Sequence, residues 1–93
     1  MKTTIFYDQD TIEMNGRGIH KITIDGQETS FDEFFDGLIE SIPSEHCFSP
    51  YITCISNAGG LTIAFDYSGD TPDEDIECAY KALAEYNIEW RAV

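Results

Sequence analysis

Apolar and polar residues alternate along the first third of the chain in the way that β-strands require. Thr3–Tyr7 and Ile19–Ile24 predict two strands, and residues 11–14 predict a short return strand between them. Asp25 and Gly26 form a turn-prone pair that closes the second long strand. The chain therefore begins with β-structure before any helix.

The first helix has a clear amino-terminal signal. Ser30 can cap it, and Glu33 stands three residues later, where a glutamate completes a capping box. Pro43 predicts the end of the helix, because proline cannot continue one. The apolar residues recur at the spacing of a single buried helix face, namely Phe31, Phe34, Phe35, Leu38, Ile39 and Ile42.

A hairpin and a second helix follow. Residues 51–56 and 61–67 predict two strands joined by a glycine-containing loop. Thr71 is the predicted cap of the second helix, with Pro72 as its first residue and Glu74 completing the box. The inward stripe of this helix is Ile76, Ala79, Tyr80 and Leu83.

The end of the chain completes an alternating order of strands and helices. Asn87 tolerates the left-handed conformation past a helix end, and residues 88–93 predict the last strand. From Ile19 onward the order is β-α-β-β-α-β, which favours an α+β ferredoxin-like sandwich. We expect one domain over residues 1–93, with an antiparallel sheet, both helices on one face, and one or two extra strands at the amino terminus.

The charged residues show that this domain is strongly acidic. Eighteen Asp and Glu residues face five Lys and Arg residues, which gives a formal net charge of -13 and a pI of about 4.1. Binding to nucleic acid requires a basic footprint, so we expect no direct contact with DNA or RNA. No apolar run approaches the ~20 residues of a membrane span, so we expect no membrane association.

Helical spacing concentrates the acidic residues on the two predicted helices. Their outward faces would point the same way in the predicted fold, with Lys81 as the one cation among them. Asp75 and Glu85 would extend the surface. The residues that we predict to bind a partner are Asp32, Glu33, Asp36, Glu40, Asp70, Asp73, Glu74 and Glu77.

Cysteine and histidine residues give little sign of catalysis or metal binding. The three cysteines are Cys47, Cys54 and Cys78, an odd number without a C-x-x-C pair, which favours free thiols in a reducing cytosol. His46 and Cys47 are adjacent, but a nucleophilic pair needs an orienting group and a zinc site needs about four ligands. We therefore predict no catalytic residue, metal or cofactor.

Small size, extreme acidity and the absence of an active-site motif give the chain a resemblance to phage-encoded DNA-mimic proteins, including acidic anti-CRISPR and anti-restriction proteins. The resemblance implies a non-enzymatic inhibitor whose acidic patch occupies the nucleic-acid-binding groove of a basic protein or nucleoprotein complex. It implies a cytoplasmic location, in the host cytosol if the chain is phage-encoded. By this resemblance the helical acids would carry binding.

Two other functions agree with the same sequence. An immunity protein that neutralises a basic nuclease toxin needs the same rigid acidic domain. A homodimeric structural or small-ligand-binding module would instead pair through its sheet face. The aromatic residues that could decorate that face or an edge are Tyr51, Tyr67, Tyr86 and Trp90.

Overall fold

A computed structural model describes residues 1–13, 16–42, 48–55 and 60–93, and these residues form an α+β fold. They contain two helices, a mixed four-stranded sheet and a separate two-stranded sheet. The elements in chain order are β1 (Thr3–Tyr7), β2 (Ile19–Ile24), β3 (Gln27–Thr29), α1 (Phe31–Glu40), β4 (Ser49–Ile55), β5 (Gly60–Asp66), α2 (Asp73–Ala84) and β6 (Ile88–Ala92).

The four-stranded sheet has the order β3-β2-β1-β6, so that β1 lies inside it and β6 at one edge. β1 runs antiparallel to β2 and parallel to β6. Ile5 lies opposite Ile22 on one side and Trp90 on the other, and both isoleucines are fully buried. The side-chain amide of Asn87 donates to the carbonyl of Met1 at 2.9 Å. This bond holds the start of β1 beside β6.

The sheet differs from the antiparallel ferredoxin-like sheet that the sequence predicted, and that topology is not confirmed. Thr3–Tyr7, expected as an extra strand, takes an inner position, and β4 and β5 pair only with each other within the described residues. The cause lies at Asp25 and Gly26, whose φ angles are 50° and 86°. They turn the chain at once into β3, which takes the edge of β2 that a ferredoxin-like sheet gives to the later hairpin.

The return strand expected at residues 11–14 is wrong for residues 11–13, which form a turn and loop, and Met14 lies outside the described residues. The backbone N–H of Thr11 donates to the carbonyl of Asp8 at 3.3 Å. The carboxylate of Asp8 also accepts a bond from the backbone N–H of Asp10 at 3.0 Å. These local bonds close a turn and compete with strand pairing.

The second sheet confirms the predicted hairpin, with β4 antiparallel to β5. Pro50 lies opposite Phe65, a position where the missing N–H of proline does not interrupt the ladder. Ile52 and Ile63 face each other across the hairpin, and both are buried. The predicted loop falls largely on residues 56–59, which lie outside the described residues.

Helix α1 begins as predicted. The hydroxyl of Ser30 accepts a bond from the backbone N–H of Glu33 at 3.1 Å. The carboxylate of Glu33 accepts a bond from the hydroxyl of Thr29 at 2.9 Å, so the second bond of the box involves the residue before the cap. Phe34 and Leu38 are the buried residues of the helix. Pro43, the predicted stop, lies outside the described residues.

The predicted cap of α2 is wrong by one residue. Pro72 is the N-cap, and its carbonyl accepts bonds from the backbone N–H groups of Asp75 and Ile76 at 3.0 and 3.3 Å. Thr71 is buried, and its hydroxyl lies 3.0 Å from that of Ser68 in a hydrogen bond. The hydroxyl is therefore engaged in the preceding turn instead of capping the helix.

One hydrophobic core joins both helices and both sheets. The rings of Phe34 and Tyr86 meet edge to face at 5.0 Å, which ties α1 to the end of α2. Tyr86 is buried, so it does not decorate the sheet face or an edge, which the sequence had left open. Burial and the neighbouring carboxylate of Glu85 raise the pKa of Tyr86. The hydroxyl of Tyr80 accepts a bond from the backbone N–H of Phe65 at 3.2 Å, which links α2 to β5.

Replacing Gly37 by alanine is expected to stabilise the protein by about 0.5–1 kcal/mol, because glycine inside a helix loses more backbone entropy than alanine on folding. An added Cβ would contact only the hydroxyl of Tyr86, at an ordinary 3.7 Å. Urea unfolding measures the change. Gly18→Ala is the control: its φ is 90° and its Cβ would lie 2.6 Å from the Cα of Ile12, so it should destabilise. A destabilised Gly37→Ala variant would contradict this packing.

Candidate functional site

Helix α1 presents a row of carboxylates along its exposed side. Asp32, Asp36 and Glu40 follow one another at intervals of four residues and are all exposed. This interval corresponds to about 6 Å along a helix, with each side chain on the same side. Phe34 and Leu38 occupy the opposite, buried side. The apolar stripe that buries the helix therefore also fixes the direction of the acids.

Helix α2 repeats this pattern beside α1. Asp73, Glu74 and Glu77 are exposed, while Ala79 is buried on the inward side. Asp73 and Glu74 lie in the first turn, where the helix dipole favours negative charge. Lys81 continues the row of Asp73 and Glu77 and forms a favourable four-residue spacing with Glu77.

The structure places each predicted partner-binding residue on the surface. Glu33 is exposed at the start of α1 and bonded to Thr29. Asp70 is exposed in the turn before α2. Asp75 is half-buried, and both Asp70 and Asp75 have interaction partners of their own. The two helices contact each other. Each helix carries four acidic residues, and Lys81 is the single cation on the two helices.

Lys21 and Arg91 lie away from the helices, whereas Arg17 lines a cavity beside the start of α1. Phe6 has Lys21 as its neighbour on β2 and Arg91 on β6, so these three residues project from the same face of the sheet. The ammonium of Lys21 lies 4.9 Å from the centre of the Phe6 ring. Ile5, the residue before Phe6, points into the core that contains both helices. The cations of β2 and β6 are therefore on the sheet face opposite the helices.

Two ion pairs use acidic residues outside both helices. Arg17 pairs with Glu13 at 2.8 Å, and Arg91 pairs with Glu89 at 3.3 Å. Both pairs are exposed, so each adds little to stability. The pairs matter more for the charge distribution, because each arginine is offset by an acidic neighbour in its own loop or strand and does not offset the helix acids.

An open cavity of about 930 Å³ lies beside the start of α1. Its lining includes the ion pair of Glu13 and Arg17, the carboxylate residue Asp32 and the ring of Phe31. Among the described residues, no group of three or more His, Cys, Asp or Glu side chains is placed to hold a metal ion. This cavity offers a mixed polar and aromatic surface to a ligand.

Only part of the predicted cysteine and histidine chemistry falls on described residues. Cys78 is a free, exposed thiol on α2, although a cysteine on a helix is more often at least partly buried. His46 and Cys47 lie outside the described residues, as does the side chain of Cys54. Within the described ranges, no helix is long and apolar enough to cross a membrane.

Sequence reasoning missed a further concavity, a cleft of about 270 Å³ between β5 and β6. Trp90 lines it and also packs edge to face on Tyr7 at 5.9 Å. The sequence carried a sign of this cleft, because the apolar residues Ile88 and Trp90 alternate in the last predicted strand. The sequence did not show which element lies next to that strand. The cleft arises from tertiary structure because the two sheets do not join.

The aromatic residues expected on the sheet face do not gather there. Trp90 shares the inner face of the sheet with Ile5 and Tyr7. Tyr67 is exposed beyond the end of β5 and packs edge to face on Phe48 at 6.2 Å.

The surface features are therefore an acidic helix layer, a sheet face with cations and several concavities. Comparison of the chain with protein-family models, with curated proteins and with solved structures finds no match.

Proposed function

We propose that this chain is a non-enzymatic inhibitor that binds the basic nucleic-acid-binding surface of a partner protein by imitating the charge of nucleic acid. The proposal is of the anti-CRISPR or anti-restriction type, and it includes a cytoplasmic location, the host cytosol if the chain is phage-encoded. Its partner is a basic protein or a nucleoprotein complex. The chain itself makes no contact with nucleic acid.

The separation of charge between the two faces carries this proposal. Each helix holds four acidic residues, whereas Lys21 and Arg91 project from the opposite sheet face. A net charge of -13 exceeds the magnitude of about 2–8 that suffices for solubility in a small domain. The two helices hold eight of the eighteen acidic residues against one cation, and a surface of one sign produces a field that attracts a basic groove and speeds encounter.

The rigidity of the helices supports the same function. Asp32, Asp36 and Glu40 are held in a repeating row by a helix that is anchored in the core through Phe34 and Leu38. A preorganised row of charges loses less entropy on binding than a flexible acidic tail of equal charge. The row therefore resembles the regular spacing of phosphates more closely than a disordered segment can.

A capture experiment tests the proposal. The immobilised chain is incubated with host lysate at low salt, and the captured protein is purified and assayed for binding to its own nucleic acid. We expect added chain to displace the nucleic acid stoichiometrically, and a rise in salt to release the captured protein. A ternary complex, in which the captured protein keeps its nucleic acid while the chain is bound, would contradict charge mimicry.

An immunity protein that neutralises a basic nuclease toxin is the second candidate, because it uses the same acidic layer. The two functions differ in what the captured protein does. If it cleaves nucleic acid unaided and is encoded beside this chain, the immunity function is supported. If it belongs to a defence complex, the inhibitor function is supported. A homodimeric structural or small-ligand-binding module would instead use the sheet face, and its function would be insensitive to charge on the helices.

A further inference from the structure

The four-stranded sheet has one face on which no described element packs. Its other face joins the core that contains both helices and the second hairpin, through Ile5 and Ile22. Thr4, Phe6 and Thr23 project to the opposite side, because successive side chains of a strand alternate between the two faces. These three residues are half-buried between their neighbours in the sheet, and Phe6 does not belong to the core. We call this side the outer face.

Two rows of side chains cross the outer face at right angles to the strands. The acidic row, from β3 to β6, consists of Glu28, Thr23, Thr4 and Glu89. The basic row, two residues further along the sheet, consists of Lys21, Phe6 and Arg91. The rows lie about 7 Å apart, the rise of two residues in a strand. One row ends in two acids and the other in two cations, so together they are neutral in a chain whose net charge is -13.

A second copy of the chain is the partner that matches this pattern of charge. A rotation of 180° about an axis between the two rows places the acidic row of each copy over the basic row of the other. Glu89 then faces Arg91 of the second copy, and Phe6 rests on Thr4 of the second copy. The symmetry forms each of these contacts twice, which makes the outer face self-complementary.

The ion pair within β6 is compatible with this arrangement. Nε of Arg91 donates to the carboxylate of Glu89 at 3.3 Å, and the two side chains are 59% and 47% exposed. A guanidinium has five N–H donors, so four are left for Glu89 of the second copy. The two copies thus form one network of four alternating charges, and such a network contributes more than isolated exposed pairs do.

The acidic helices do not oppose this association, because they lie on the far side of each sheet. Sheets that pack face to face are about 10 Å apart, and a helix adds about 10 Å on each side. The two acidic surfaces are then separated by about 30 Å, whereas the Debye length at physiological salt is about 8 Å. Contact through the helices would instead bring eight acids of one copy against eight of the other.

We propose that two copies of the chain associate through their outer faces, with the strands of one copy antiparallel to those of the other. Four strands of about five residues give a footprint of about 300 Å², which is small beside the roughly 800 Å² that each partner buries in a standard interface. The dimer is therefore weak and reversible, with a dissociation constant on the order of 100 µM. It carries an acidic surface on each side, and the consequence that it binds two partner molecules rests on the proposed function.

Sedimentation velocity over a range of concentrations tests the association at physiological salt. A reducing agent prevents the exposed thiol of Cys78 from linking two copies. We expect the average mass to rise from 10.5 kDa towards twice that value as the concentration increases. A chain that stays monomeric up to about 1 mM, tenfold above the expected dissociation constant, would overturn the inference.

Charge reversal on the outer face tests the location. Arg91→Glu places an acid opposite Glu89 of the second copy, and we expect the dimer to weaken at least about tenfold. Arg17→Glu is the matched control, because it changes the net charge equally but lies in the loop beside α1. Equal weakening by both variants would indicate general repulsion, and an unchanged dimer in Arg91→Glu would place the interface elsewhere. Either result would overturn the inference.

A double variant tests the antiparallel arrangement. Glu89→Arg combined with Arg91→Glu exchanges the two charges of β6 and keeps the net charge of the native chain. We expect it to restore the dimer, because each reversed charge again faces its opposite in the second copy. A double variant as weak as Arg91→Glu alone would overturn this arrangement. Amide variants of the helix acids separate the two proposals: charge mimicry fails if they keep the captured partner, whereas outer-face pairing fails if they abolish the dimer.

Discussion

Neutralising five acidic residues of the two helices is expected to weaken binding to the captured partner about a hundredfold at low salt. Exposed ion pairs contribute about 0.2–1 kcal/mol each, so five of them amount to about 1–5 kcal/mol, and a hundredfold loss corresponds to about 2.7 kcal/mol. The substitutions keep size and hydrogen-bonding shape while removing charge. They are Asp32→Asn, Asp36→Asn, Glu40→Gln, Asp73→Asn and Glu77→Gln.

Most of this loss is expected in the association rate, because long-range attraction steers the encounter before any close contact forms. Surface plasmon resonance at several salt concentrations measures both rates. The difference between the native chain and the variant should shrink towards 1 M salt, where the Debye length is about 3 Å. A loss confined to the dissociation rate and independent of salt would indicate that these residues make short-range contacts instead of providing a field.

A second variant with the same change in net charge controls for composition. It carries amides at five acidic residues outside the helices, namely Asp10, Glu13, Glu28, Asp66 and Glu89. We expect this variant to keep most of its affinity. If the two variants lose affinity equally, net charge alone governs binding. If neither loses affinity, the helix surface is not the binding site.

Local structure was predictable wherever the signal lies within one element. Thr3–Tyr7 and Ile19–Ile24 were predicted with the bounds that the structure has, because alternation with a period of two needs only neighbouring residues. The cap at Ser30 was predictable for the same reason, because its hydroxyl bonds to the backbone N–H of Glu33, only three residues later. Thr71 looked identical in sequence, but the hydroxyl of Ser68 engages it first. A capping motif is thus reliable only where the preceding turn leaves the hydroxyl free.

The pairing of strands was not predictable from these local signals. β1 and β6 lie at opposite ends of the chain, and their parallel register depends on tertiary packing of Ile5 between Ile22 and Trp90. β3 has the sequence Gln-Glu-Thr, which carries no apolar alternation. It forms because the turn at Asp25 and Gly26 brings it against β2. The ferredoxin-like prediction was therefore not confirmed, although every predicted strand from Ile19 onward is present among the described residues.

The candidate site also has one part that the sequence could predict and one part that it could not. The acidic rows of α1 and α2 follow from helical periodicity, so the sequence could name their residues. The segregation of charge depends on the register that places Lys21 and Arg91 on either side of Phe6 across three strands. The cleft depends on β5 and β6 remaining unpaired. Both features arise between elements that are distant in sequence, where periodicity carries no information.

Replacing Phe34 by alanine is expected to destabilise the protein by about 3–5 kcal/mol. Phe34 is 2% exposed, and its ring meets Tyr86 at 5.0 Å and Phe31 at 6.3 Å. Removing the ring opens a cavity where α1 packs against the end of α2, and collapse there is limited by the buried neighbours. A domain of this size has a total stability of about 5–15 kcal/mol, so much of it would be lost.

Denaturant unfolding followed by far-ultraviolet circular dichroism and by Trp90 fluorescence measures this loss. Phe34→Leu retains part of the side-chain volume and serves as the graded control, with a smaller expected loss. Phe35, half-buried on the same helix, provides a matched aromatic site, and Phe35→Ala should cost less than Phe34→Ala. If the two alanine variants are equally stable, Phe34 is not the anchor of α1. The acidic row would then be held by other contacts, and its rigidity would lose its structural basis.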